Sequence, residues 1–191
     1  MSRNPWPPPG VEWYYADDWV VIYHGDCREI LPKLPKVDLV LTDPPYGVCH
    51  SSNSGASWAG TKIQGDDDSS LRDDVLNLIG DTPAAVFGNW KVAPPPTARC
   101  ELTWDKGPAS GMGDLSLPWK QSTEVVWIIG GGWQGRRDDA VLRGHLVISW
   151  ESKGRTHPHE KPVSLCLMLL LKAPNAYVVL DPFLGSGSTL I

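Results

Sequence analysis

The stretch Val37–Gly47, VDLVLTDPPYG, restricts the fold more than any other part of the chain. Val37, Leu39, Val40 and Leu41 form a short apolar run that suits a buried strand. Pro44 and Pro45 end it, because neither can donate a hydrogen bond to a neighbouring strand. Asp43, Pro44, Pro45 and Tyr46 are therefore expected as a stiff turn at the strand's carboxyl end, the edge at which open α/β sheets bind ligands. A carboxylate, carbonyls without adjacent amide protons and an aromatic ring held together there suit the grip of a flat, amino-bearing group. On residue types alone, an ordinary proline-containing turn is the alternative.

A chain of 191 residues with 41% hydrophobic and 20% charged residues fits one soluble domain able to bury a proper core. The formal charge of −5 argues against a general polyanion binder. From Gly130 to Lys161, however, Arg136, Arg137, Arg143, Lys153, Arg155 and Lys161 outnumber Asp138, Asp139, Glu151 and Glu160, so any nucleic-acid face is expected there. No apolar stretch approaches the length of a membrane span, and MSRNPWPPPG lacks the apolar core of a signal peptide. Cys27, Cys49, Cys100 and Cys166 are widely separated, with no CxxC pair. Neither zinc nor a disulfide framework is expected, and a cytoplasmic setting is the default.

Taken in order, residues 1–18 read as a lead-in, with a stiff, exposed Pro5–Gly10, and residues 19–191 as the domain. Trp19–Tyr23 is expected as a strand, Arg28–Leu34 as a short helix capped by Asp26, and Val37–Leu41 as the next strand. Strand–helix–strand argues for parallel pairing, which sets Asp26 at the carboxyl end of the strand beside Val37–Leu41, as a cap, a ligand contact or both. Asp66–Asp68 reads as a solvated cap for a helix over Leu71–Ile79. Strands follow at Ala84–Gly88, Glu101–Trp104, Glu124–Ile129 and His145–Trp150. A largely buried helix is expected over Val163–Lys172 and a buried strand over Ala176–Leu180. The last strand leads into Asp181–Thr189, DPFLGSGST, whose small residues would let a ligand approach the backbone. It lacks the Lys-Ser/Thr ending of a phosphate-cradling loop.

TDPPYG at 42–47, HPHEKP at 157–162 and DPFLGSGST at 181–189 together resemble the β-class DNA amino-methyltransferases. HGDC at 24–27, FGNW at 87–90, LTWDKG at 102–107 and EVVWIIG at 124–130 extend the resemblance from about Trp19 to the last residue. It implies a doubly wound, mostly parallel α/β sheet of the Rossmann-like S-adenosylmethionine-dependent methyltransferase fold, circularly permuted so that the base-side turn precedes the cofactor turn. It also implies methyl transfer from S-adenosylmethionine to adenine N6 in DNA, with cytosine N4 transfer or a catalytically impaired DNA-binding remnant as the alternatives. Asp43 and the Pro44 carbonyl would accept hydrogen bonds from the amino group, orienting its lone pair for direct in-line transfer. Pro45 stiffens the turn, and Tyr46 would stack on a flipped-out base.

On the cofactor side the resemblance implies Asp181, Pro182, Phe183, Gly185, Ser186, Gly187, Ser188 and Thr189 in the glycine-rich turn. It adds His157 and Lys161 before the helix, Asp26 and Cys27 beside the adenosine, and Asp43 where the two halves meet. Lys161 could equally be a surface cation near a helix start. No metal is implied. The implied partner is DNA carrying a flipped-out adenine, in a bacterial or phage-infected cell, with room for a homodimer and for a cognate restriction enzyme. The chain stops at Ile191, where the family continues with a helix and a strand, so a C-terminally truncated enzyme is expected, with a short target-recognition segment over residues 131–156.

Overall fold

The computed structural model describes residues 6–47, 65–107, 115–144, 161–185, 187 and 189. Its elements are β1 (Tyr15–Ala16), β2 (Val21–Ile22), α1 (Cys27–Ile30) running into a 3-10 turn (Leu31–Lys33), β3 (Leu39–Thr42), α2 (Ser70–Ile79), β4 (Ala84–Gly88), β5 (Ala98–Asp105), β6 (Thr123–Ile129), β7 (Val141–Leu142), α3 (Val163–Leu171) and β8 (Val179–Leu180). Six of the strands form one sheet in the order β7-β5-β6-β4-β3-β8. The pairs β3–β4, β3–β8 and β5–β7 are parallel, and β6 runs antiparallel to both β4 and β5. The sheet is thus mostly parallel with one reversed strand.

Every residue of β3 and β4 is buried, as expected for central strands whose side chains meet cover on both faces. Alternation divides the core in two. Leu41, Ala85, Phe87, Trp104 and Val126 pack with Leu165, Cys166 and Leu169 of α3. Val40, Ala84, Val86, Val125, Trp127 and Ile129 face the other way, against Leu76 and Ile79 of α2. Helices on both faces make the sheet doubly wound, as the sequence implied. β8 is fastened to β3 at both ends. Asp38 Oδ2 accepts from the Tyr177 and Val178 amides at 3.0 and 2.9 Å, and Thr42 Oγ1 donates to Asp181 Oδ1 at 2.7 Å.

Several expectations are corrected. The Trp19–Tyr23 run contributes only β2, which pairs antiparallel with β1 in a separate two-stranded sheet; β3 has β4 and β8 as its neighbours. The cause is local. Asp17 Oδ1 accepts from the amides of Trp19 and Val20, both at 2.8 Å, and folds the chain into a hairpin. That hairpin straddles the expected boundary between residues 18 and 19, and Trp6 of the lead-in packs against the core beside Val37. Asp26 consequently does not stand at the end of a strand adjoining β3.

Of Ala176–Leu180, only Val179 and Leu180 join the ladder. They form an edge, with Tyr177 90% exposed, because nothing among the described residues pairs with the far side of β8. On α3 only the inner face is buried: Val163, Leu167 and Leu171, spaced by four, remain exposed. Short β7 was not anticipated, and residues 145–150, expected as a strand, lie outside the described residues.

Gly88 ends β4 with the Trp127 ring pressed against it. A Cβ there would lie 2.1 Å from the indole, so packing alone requires glycine. Gly88→Ala is expected to destabilise the fold by about 1–3 kcal/mol through overpacking. Trp127→Leu should recover part of that loss in the double variant, seen as a sub-additive cost in urea unfolding.

Candidate active site

The parallel strands β3 and β8 end side by side, so Asp43 and Asp181 emerge at the same edge. The Thr42–Asp181 hydrogen bond, spanning 139 positions, joins the two turns directly. Asp181 also accepts from Thr189 Oγ1 at 2.7 Å and from the Phe183 amide at 3.0 Å. Burial raises its carboxyl above the ordinary 3.8 against the lowering effect of these donors, and Asp43 adds to the rise. Gly185 and Gly187 take φ of +54° and +80°, backbone that side-chain-bearing residues rarely adopt, so the turn is left without Cβ atoms at those two points.

Pro162 caps α3 in an extended conformation and holds Lys161 outside the helix. Lys161 is no surface cation: it is buried at 8% exposure, with its ammonium 2.6 Å from Asp43 Oδ2, 3.1 Å from the Tyr46 hydroxyl and 3.5 Å from Glu124 Oε2. The rings of Phe87 and Tyr46 lie 5.2 and 5.5 Å from it. Tyr46 donates its hydroxyl to Asp43 Oδ1 at 2.7 Å, with Glu124 Oε2 at 3.3 Å from the same oxygen. Lys106 completes the group by donating to Glu124 Oε1 at 3.1 Å. Two carboxylates and two ammonium groups therefore balance in charge.

Burial would raise the Glu124 carboxyl, but Lys161 and Lys106 outweigh it and the net shift is downward from 4.5. For Lys161, burial opposes the charge, yet Asp43 and Glu124 prevail and the shift is upward from 10.5. Burial first, then the Asp43 and Glu124 carboxylates, push the Tyr46 phenol well above 10.

The sequence-derived residues divide into three groups. Asp43, Tyr46 and Lys161 form one hydrogen-bonded group and Asp181, Phe183 and Thr189 another, the two joined through Thr42, with Pro44 and Pro45 in the first turn. Pro182, Gly185 and Gly187 lie in the second turn. Asp26 and Cys27 stand apart. Asp26 caps α1 and is held by Arg28 at 2.7 Å, which sets its carboxyl at about 2. No hydrogen bond or ion pair among the described residues ties Asp26 or Cys27 to the Asp43–Asp181 assembly. His157, Ser186 and Ser188 lie outside the described residues.

Sequence reasoning missed Glu124, Lys106 and Asp66. Asp66 is 2% exposed and accepts from the Gly47 amide at 2.7 Å, so it anchors the Pro44–Tyr46 turn and is not a solvated cap; Asp68, which accepts from the Ser70 amide, does that work. A polar residue opening an apolar strand, as Glu124 does in EVVWII, was the available signal.

Beside this assembly Pro44, Pro45 and Tyr46 face Phe87, Asn89, Val92 and Trp127 across a crevice too narrow for a water molecule. The site holds a carboxylate at each of two adjoining strand ends and a buried cation behind the first. It can orient a hydrogen-bond donor at Asp43 and attract positive charge at Asp181.

Lys161→Met is expected to cost about 3–5 kcal/mol at pH 7, because Asp43 and Glu124 lose a buried partner. The native Glu124 carboxyl titrates below its unfolded value of 4.5. Its stabilisation is therefore complete above that pH and is lost as pH falls through the native value. The gap between wild type and variant should narrow on acidification from pH 7 to pH 3, read by urea unfolding at each pH.

No protein-family model matches the chain. Among curated proteins, "Putative methylase YubD" of Escherichia coli strain K12 is 29% identical over 181 residues, covering 87% of this chain and 76% of that protein. The crystal structure of the M1.HpyAVI–SAM complex superposes with a TM-score of 0.56 at 20% identity, over 87% of this chain and 84% of that one. A second M1.HpyAVI structure gives 0.54 at 18% identity, over 87% and 82%. The chain shares the fold of the two M1.HpyAVI structures.

Proposed function

We propose that this chain is an S-adenosylmethionine-dependent DNA methyltransferase acting on an exocyclic amino group, that of adenine N6. The observation that carries the reading is the Thr42–Asp181 bond, which couples the proline turn to the glycine-rich turn at one sheet edge. The 29% identity to YubD, named a methylase, and the fold shared with M1.HpyAVI, solved with SAM, support it. The order of the two turns supports the circularly permuted β-class arrangement.

The residues present fit the cofactor. Asp181 is a buried carboxylate that forms no ion pair among the described residues, and the turn after it presents glycine backbone at positive φ. Asp181, Pro182, Phe183, Gly185, Gly187 and Thr189 would hold the group, together with Ser186, Ser188 and His157; its chemistry is an electrophilic methyl carried on a sulfonium. Asp26 and Cys27 remain assigned to the adenosine end by resemblance alone.

The chain's own part is orientation. An exocyclic amino nitrogen shares its lone pair with the ring and is a poor nucleophile. Asp43 and the Pro44 carbonyl accept its two N–H groups, hold the nitrogen toward tetrahedral geometry and aim the lone pair. Tyr46 stacks on the base, which must leave the duplex to reach so recessed an edge. Asp43 would take up the proton that the nitrogen sheds as the methyl group exchanges its bond to the sulfonium sulfur, left as a neutral thioether, for one to nitrogen.

Calorimetric titration with S-adenosylmethionine tests the cofactor half: saturable binding is expected in the wild type, with a loss of 10-fold or more (~1.4 kcal/mol) in Asp181→Ala. Asp43→Ala is expected to lose methyl transfer by a factor of about 100 or more, with cofactor binding weakened less than in Asp181→Ala. Nucleoside analysis of treated, unmethylated DNA should yield N6-methyladenine. N4-methylcytosine would replace adenine by cytosine in the same site, and absence of binding by a folded chain would overturn the reading.

A further inference from the structure

Both oxygens of Asp43 are engaged: Oδ2 by the Lys161 ammonium at 2.6 Å and Oδ1 by the Tyr46 hydroxyl at 2.7 Å. On the methyl-transfer reading, on which this inference rests, that carboxylate must also accept from a substrate amino group; an oxygen already bonded to a donor is the weaker acceptor, so the substrate is gripped best where one partner yields. Lys161 is poorly placed to do so. It is buried, packed over two rings and held by Glu124 as well. Moving it would leave Asp43 without a cation and Glu124 with Lys106 alone.

The Tyr46 hydroxyl has an alternative. It carries one proton and lies between two carboxylates, with Asp43 Oδ1 at 2.7 Å and Glu124 Oε2 at 3.3 Å. A turn of the proton and a shift of a few tenths of an ångström would transfer its hydrogen bond to Glu124. The Lys161 ammonium, 3.1 Å from the same hydroxyl, can donate to it in either state. Glu124 itself is fixed by Lys106 on its other oxygen.

We propose that Glu124 is a positioning residue: it receives the Tyr46 hydroxyl when a base enters, and thereby frees Asp43 Oδ1 for the amino group. Tyr46 thus guards Asp43 in the free protein and stacks on the base in the complex, and the exchange leaves no buried hydroxyl unpartnered. Glu124 acts through Tyr46 and touches no reacting atom.

The test is a double-variant cycle of Tyr46→Phe with Glu124→Leu, read by unfolding equilibria and run in the wild-type and Asp43→Ala backgrounds. Coupling between Tyr46 and Glu124 is expected below about 2-fold with Asp43 present and about 5-fold or more without it, because the hydroxyl then turns to Glu124. Equal coupling in the two backgrounds overturns the proposal. Glu124→Met serves in the cycle if the leucine variant does not fold.

In methyl transfer, Glu124→Leu should lower kcat about 10-fold with the cofactor KM unchanged. Glu124→Gln, which keeps an acceptor oxygen, should restore it to within about 3-fold; failure of glutamine to rescue counts against the proposal. A wild type that transfers no methyl group to DNA overturns the methyltransferase reading, while the unfolding cycle still decides the role of Glu124.

Discussion

A lysine ammonium kept from water must be surrounded by compensating charge, and here that requirement gathers distant parts of the chain. Lys161 precedes α3, Asp43 follows β3 and Glu124 opens β6, yet all three meet around one nitrogen. The ammonium thus links the helix covering one face of the sheet to the central strand and to the reversed strand. On the proposed reading, stability and chemistry would draw on the same contacts, since Asp43 is held by the cation that ties α3 to the sheet.

The second tie is a hydrogen bond, not an ion pair. Thr42 and Asp181 meet because β3 and β8 are parallel neighbours whose starts are joined by Asp38. With the ladder fastened at one end, the turns at the other have little freedom to separate. This is the physical content of a two-turn site on a parallel sheet. The adjacency of the turns is supplied by backbone pairing.

The central strands were legible because their burial is local information: LVLT and AAVFG read as apolar on both faces wherever they occur. The proline turn was legible for a similar reason, since two prolines end a strand in any context. Pairing was harder. Trp19–Tyr23 has strand composition, but its partner was decided by the carboxylate of Asp17, and composition does not say which side chain will bond to the backbone. Asp66 misled in the same way, since an acidic run reads as solvated until one member meets the Gly47 amide. Lys161 was recognised by motif, while its burial among Asp43 and Glu124 depends on contacts 118 and 37 positions away, far beyond any sequence window.

The reversal of β6 has a further consequence. In a parallel strand the residue at the ligand-binding edge is the last to enter the sheet, whereas in β6 it is the first. Glu124 and Trp127 are three apart and so point to opposite faces, one toward Lys161 and the other into the core beneath α2. A one-residue slip of this strand would turn the indole out of its slot against Gly88 and swing the carboxylate to the wrong side together. The tryptophan therefore proofreads the alignment of the glutamate: a chain that has packed its core has, by the same register, armed its edge.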